Sequence, residues 1–346
     1  MITLPSDCLY QIFQHFKDDS KTLQSCLLSN RSCCELIIPI LWADPWKLIL
    51  KKKSASGHRF SFKSLLSTLL SSLPFESKRL LHNNNVHLAS HATFFNYAIY
   101  CRSLNFDGIW SMLLAQHPPF DILNTAIEIL VSQEICKMII IQSTKITQMF
   151  ISNVPNSFFD LLENLSLNNF QSLSHLIEFE YHVNTNSNIS TFSNLLNVCK
   201  NISNLTINLR ATPSKSFIKL IQSQNTIKFM KITFEYDPPS RFINSLLTHA
   251  DNLTHLCVSC AREDIFPKIF FNCPTFSNLS NAQIIKGTHG KLEKIYVSHP
   301  ICYVNPNIIN QNILNSCPNL KVLTTFVTKD TLKIILAILT SCRSLE

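Results

Sequence analysis

The sequence predicts an α/β fold in which a small three-helix module precedes a row of stacked helix–strand repeats. Residues 4–46 carry apolar side chains at helical spacing, broken twice by capping residues. Further along, one apolar phrase recurs in steps of 25 or 26 residues. Glycine occurs only 4 times in 346 residues, which argues against folds built on glycine-rich turns. Neither GxGxxG nor the GxxxxGKS/T loop that cradles phosphates is present. Hydrophobic residues make up 46% and charged residues 15%, a balance that argues against broad disorder.

The first element is a helix. Leu9, Ile12, Phe13 and Phe16 fall at i, i+3, i+4 and i+7, and Pro5 stands where proline costs least, in the first turn. Asp18, Asp19 and Ser20 break that helix and can cap the next, which turns Leu23, Cys26 and Leu27 inward. A third helix begins near Asn30 and buries Cys34, Ile37 and Ile38; Pro39 is expected to end it before Leu41 and Trp42. Three helices in so few residues bury little apolar surface, so the module is expected to lean on a partner or on the following domain.

Several features of this module resemble the F-box family: Leu4-Pro5, the Leu9/Ile12/Phe13/Phe16 helix, Leu23, the stretch Leu28-Ser29-Asn30-Arg31, and Leu41-Trp42. They stand in the family's order and spacing and cover residues 1–46. One departure is Ser32-Cys33-Cys34, where the family often carries an aromatic residue after the arginine. The resemblance implies docking onto the Skp-family adaptor of an SCF-type cullin-RING ubiquitin ligase, and through it onto a cullin. By position, Leu4, Pro5, Leu9, Ile12, Phe16, Leu28 and Arg31 would form or support that surface.

Residues 47–90 are expected to form a basic helical linker. Between 51 and 82 stand Lys51, Lys52, Lys53, Arg59, Lys63, Lys78 and Arg79 against Glu76 alone, most of the chain's formal +8. Such a segment can bind nucleic acid or act as a nuclear signal, but a solvated linker is the reading preferred here. The lysine run has no aromatic residues interleaved and the charge elsewhere is nearly balanced, which makes a nucleic-acid partner the weaker alternative.

Residues 91–346 are expected to form the repeat array. The clearest copy is the stretch from Leu195-Leu196 through Cys199, Ile202 and Asn204-Leu205 to Ile207. Others run from Leu220-Ile221 to Met230 and Ile232, from Leu246-Leu247 to Leu256 and Val258, and from Ile313-Leu314 to Leu323. A last copy starts at Ile338-Leu339 with Cys342 and Leu345. Lys291–Val297 fits the strand half; Ile135, Met138 and Ile140 are read as another strand half; Leu173 and Leu176 fit less well. Each unit reads as a helix leading into a short strand. Neither element can bury its apolar face alone, so neighbours stack and the strands form a parallel sheet. The array resembles degenerate leucine-rich repeats of the kind that follow F-boxes, which implies a horseshoe-shaped α/β solenoid. The chain stops at Leu345-Glu346 where another strand would begin, so either the last helix caps the array or the sequence is truncated.

Period-2 alternation assigns an outward strand face. With Leu205 and Ile207 inward, Asn204, Thr206 and Asn208 face out. The matching sets are Phe229, Lys231 and Thr233; His255, Cys257 and Ser259; and Lys294, Tyr296 and Ser298. From these, Asn204, Thr206, Lys231, Thr233, His255, Ser259, Lys294 and Tyr296 are the candidate target-binding residues.

Catalytic patterns are missing. The 12 histidines include no HExxH, there is no GxSxG elbow, and pairs such as Asp18-Asp19 and Glu263-Asp264 read as turns or solvated faces. Cys257-Val258-Ser259-Cys260 is the only CxxC and sits in an expected strand, with Cys273, His255 and His289 poorly spaced for zinc. Cys199, Cys317 and Cys342 recur at one repeat position, as small buried residues do. No enzyme activity, metal or cofactor is expected. The 13 scattered cysteines, the lack of a signal peptide, and apolar runs far below transmembrane length lead to the expectation of an intracellular protein, cytoplasmic or nuclear, that does not enter a membrane. Asn164, Asn201, Asn204 and Asn252 stand in N-x-S/T sequons, read as composition and not as glycan sites. The expected function is therefore a substrate receptor whose target is not encoded in any recognisable code. The alternative is a repeat-based interaction scaffold not linked to ubiquitin.

Overall fold

A computed structural model describes residues 4–47, 58–86, 93–115, 125–152, 155, 167–183, 192–234, 239–260, 284–298, 306–325 and 327–346. The chain is α/β and divides into two compact units, Met1–Leu176 and Ile177–Glu346.

In the first unit, α1 (Ser6–His15), α2 (Ser20–Leu27) and α3 (Arg31–Ala43) follow the expected order. Local chemistry sets their ends. The Asp19 carboxylate accepts from the Thr22 amide at 3.2 Å and the Thr22 hydroxyl at 2.7 Å, and these bonds pull its pKa below the ordinary value. The Asn30 side chain accepts from the Cys33 amide at 2.8 Å. Pro5 lies one residue ahead of α1, and its carbonyl accepts from Leu9 at 3.1 Å. Pro39 does not end α3 as expected but lies inside it. Proline removes one backbone donor, and the last turn is retained because the following residues are anchored. Trp42 stacks on Tyr97 with ring centroids 4.3 Å apart, and the buried Trp46 indole donates to the Ser103 carbonyl at 3.0 Å.

Two helices, α4 (His58–Ser72) and α5 (Phe75–Asn83), occupy the described part of the basic stretch; Lys51–Lys53 lie outside the described residues. Then come a 3₁₀ turn (Tyr97–Tyr100), β1 (Ser103–Asn105), α6 (Phe106–Leu114), α7 (Thr125–Gln142), β2 (Gln148–Ile151) and a 3₁₀ segment (Leu167–His175). β1 and β2 are parallel. Gly108 lets α6 approach Trp46 closely: a Cβ there would stand 3.2 Å from the ring and 3.3 Å from the Asn105 side chain. Ile135, Met138 and Ile140, expected in a strand, are instead buried in α7. This helix buries Val131, Cys136 and Ile139 as well, so its apolar residues go nearly all the way round and leave no stripe to read.

The second unit repeats one phrase: β3 (Glu178–Val183), α8 (Phe192–Val198), β4 (Asn204–Leu209), α9 (Lys215–Gln222), β5 (Phe229–Phe234), α10 (Ser240–Leu247), β6 (His255–Cys260), β7 (Lys294–Ser298), α11 (Pro306–Ser316), β8 (Val322–Thr324) and α12 (Leu332–Ser341). The strands pair in chain order and all in parallel. Two residues before each strand stands a buried apolar side chain: Leu176 before β3, then Ile202, Ile227, Leu253, Leu292 and Leu320. One residue into the strands, Phe179, Leu205, Met230, Leu256 and Ile295 are buried, and the register sets them side by side. The helices pack on this inward face. Phe217 of α9 lies 4.7 Å from the Tyr181 ring and 6.3 Å from the Phe179 ring, centroid to centroid.

Helix ends are tied across the repeats by side chains. Where Cys199 ends one helix, the next repeat has Gln224, whose buried amide donates to the Cys199 carbonyl at 2.9 Å and accepts from the Ile202 amide at 3.1 Å. His249 Nε2 donates to the Ile221 carbonyl at 2.7 Å, and the Cys342 thiol to the Cys317 carbonyl at 3.2 Å. Among the described residues no helix is long and apolar enough to cross a membrane.

Candidate functional site

Two surfaces carry the residues singled out from the sequence. The first is the module α1–α3. Its own core is small: Phe13, Leu23 and Ile37 are buried, with Leu9, Cys26, Leu27, Leu36, Ile40 and Leu41 packed around them. Each of the three helices contributes one residue to this cluster, and α3 buries Ile38 besides. Leu4 is 52%, Ile12 43%, Phe16 38% and Leu28 83% exposed. Ile12 and Phe16 follow each other at i and i+4 on α1, so their side chains share a face. Leu28 caps the end of α2. Pro5 is exposed. Arg31 is exposed at the start of α3 and pairs with Glu35 at 3.0 Å, one turn on. Of the seven candidate residues Leu9 alone is half-buried and supports this surface from beneath.

The second surface is the outward face of β3–β8, and the expected alternation holds there. Along β4, half-buried Asn204, Thr206 and Asn208 alternate with buried Leu205, Ile207 and Leu209. The register sets Asn204, Phe229, His255 and Lys294 in one row across the sheet. A second row is Thr206, Lys231, Cys257 and Tyr296, and a third brings Thr233 beside Ser259, whose hydroxyls are 2.7 Å apart. All eight candidate residues therefore lie on one face. The His255 ring tilts against Phe229 with centroids 6.2 Å apart, and its Nδ1 is 2.9 Å from the Thr254 hydroxyl. Desolvation and the neighbouring Lys294 hold the His255 pKa below the ordinary histidine value.

β3 extends the same rows and was missed in the sequence. Glu178 pairs in register with Asn204, Glu180 with Thr206 and His182 with Asn208, and Glu180 and His182 are 2.9 Å apart. The signal was the alternation in Glu178-Phe179-Glu180-Tyr181-His182, hidden because aromatics fill the places leucine and isoleucine take elsewhere.

The thiols at the helix ends are buried and unreactive in character. Burial pushes Cys199 and Cys317 up to about 12, and raises Cys342 in the same direction. In the first unit, burial pushes Cys101 up to about 12 and Cys136 well above the ordinary value. Cys257 is half-buried on the outward face, and the side chain of Cys260 lies outside the described residues.

His249 gives the second unit a pH dependence. Burial lowers its pKa below 6.5, and this outweighs the opposing effect of the bond to Ile221. Below pH 6.5 the unfolded chain then binds more protons than the folded one, so stability falls as pH drops and levels off beneath the folded pKa. His255 acts in the same direction. Thermal unfolding at pH 5.5 should start lower than at pH 7.5, and His249→Gln should narrow that gap. An unchanged gap would refute the assignment.

Compared with known proteins, the chain matches no family model, no curated protein and no solved structure.

Proposed function

We propose that this chain is a non-enzymatic substrate receptor of an SCF-type cullin-RING ubiquitin ligase. The helices α1–α3 act as an F-box and bind a Skp-family adaptor. The strand repeats act as a leucine-rich-repeat-like solenoid whose outward strand face holds a target protein. The reading rests on the F-box resemblance of residues 1–46 and is carried by one observation: Leu4, Ile12, Phe16 and Leu28 stay exposed on a module whose own core cluster is Phe13, Leu23 and Ile37. Large apolar side chains left exposed on a small helical module, two of them on one face of α1, support a partner that covers them.

Recombinant Skp-family adaptor should be captured by the wild-type chain and lost with Leu4→Asp, Ile12→Asp and Phe16→Asp combined. The three side chains are exposed, so the circular dichroism of the variant should match wild type. Buried aspartates at an interface centre cost about 2 kcal/mol or more each, enough to lower affinity by well over tenfold. Equal capture by both proteins would remove the proposal.

The second reading is an interaction scaffold without a ubiquitin link, in which α1–α3 only cap the first unit. The Arg102 amide bonded to the Ala43 carbonyl at 2.8 Å and the Trp46–Ser103 bond favour it. It predicts no adaptor capture by either protein.

A further inference from the structure

We propose that the outward face of β5–β7 receives an acidic stretch of a protein segment laid across the strands; the inference rests on reading this face as the target-binding surface. The charges on the face are sorted by strand. β3 presents Glu178 and Glu180, the latter paired with His182. β4 presents Asn204, Thr206 and Asn208, none of them charged. β5 and β7 present Lys231 and Lys294; on β6 His255 stands beside Lys294 in one row and Cys257 beside Lys231 in the next. Among the described residues neither Lys231 nor Lys294 forms an ion pair, whereas nearby Lys321 is held by Glu293 at 3.1 Å. Two outward ammonium groups in adjacent rows, on the strands either side of β6, give this part of the face a positive charge that an external anion would balance. In the same row Thr206 stands beside Lys231, and Tyr296 lies beyond Cys257 on β7, separated from Lys294 along the strand by Ile295.

Geometry limits the length of the anion. Parallel strands lie about 4.8 Å apart, so β5 to β7 span about 10 Å, the reach of about three or four extended residues. Beyond β4 a longer acidic run meets Glu178 and Glu180 and is repelled. The face therefore favours a short acidic block over a uniformly acidic chain.

The probes are fluorescein-labelled Gly/Ser peptides carrying a central block of four glutamates, four glutamines or four lysines, read by fluorescence anisotropy with the full chain in low salt. Expected is binding of the glutamate peptide alone, weakened at least tenfold by Lys231→Glu with Lys294→Glu and weakened in part by Lys231→Gln with Lys294→Gln. Both pairs are outward-facing, and unchanged circular dichroism would confirm that they fold. Equal binding of the glutamine peptide, indifference to both double variants, or no binding of the glutamate peptide would overturn the proposal. A single-stranded DNA oligomer that binds the same lysines more tightly than the glutamate peptide would overturn it too. Adaptor capture does not involve these lysines. A chain that captures adaptor but ignores the glutamate peptide refutes only this inference, and loss of adaptor capture with peptide binding intact refutes only the ligase reading.

Discussion

Phe217→Ala is expected to lower the stability of the second unit by about 3–5 kcal/mol, the range for removing a fully buried aromatic ring. Phe217 is 0% exposed and stands at the first turn of α9, where the Ser214 hydroxyl caps its amide at 3.2 Å. Its ring meets Tyr181 and Phe179, the two inward aromatics of β3. The side chain thus joins a helix to a strand two places earlier in the chain order, and no smaller residue can reach both rings. Phe217→Leu keeps much of the apolar volume and should cost markedly less. Urea unfolding of the full chain, followed by far-ultraviolet circular dichroism, would measure both. A loss below about 1 kcal/mol for the alanine variant would show that the aromatic contact is not where this stability resides.

Leu23→Ala should have a comparable effect of about 2–5 kcal/mol, confined to the N-terminal module. Leu23 is 0% exposed and forms the core cluster of α1–α3 with Phe13 and Ile37. The neighbours that close around it, Cys26, Leu27 and Leu41, are themselves half-exposed, so little remains to fill the hole. Amide hydrogen exchange should become fast throughout α1–α3 in Leu23→Ala and stay slow in Ile12→Asp. On the proposed adaptor-binding reading, capture should fall in both variants, by loss of structure in the first and by loss of contact in the second. Slow exchange retained in Leu23→Ala would place the stability of the module in its contacts with Tyr97 and Ser103 instead of in its own core.

What could be read from the sequence followed the clarity of the pattern. The helices of the module were legible because Asp19 and Asn30 mark starts by a local bond that needs no tertiary context. Pro39 misled because its effect depends on what lies beyond it: Trp42 in the last turn stacks on Tyr97, and Trp46 just past the helix bonds to Ser103. β4 to β7 were legible because inward aliphatics alternate with outward residues, and from β4 to β6 the step of 25 or 26 residues keeps the parallel register visible, whereas the longer stretch before β7 hides it. β1 and β2 are 3 and 4 residues long, too short for alternation to register. α7 is buried on most sides, so its composition said only that it was inside, not which period it follows. The candidate surfaces split in the same way. The eight outward residues emerged from parity alone. The contribution of β3 did not, and with it the change from acidic to basic strands stayed hidden. Gln224 and His249 could not be found at all, since their role is a bond to a carbonyl in the preceding repeat, and no local pattern encodes it.

The buried thiols have one more consequence. Cys101, Cys199 and Cys317 are buried, and burial pushes their thiols up to about 12, so alkylation of each should wait on the opening of its surroundings. Cys101 lies in one unit and Cys199 and Cys317 in the other. The native chain thereby carries its own clocks, one set in each half, and the rate at which each sulfur becomes reactive times the breathing of its own neighbourhood without any label being engineered in.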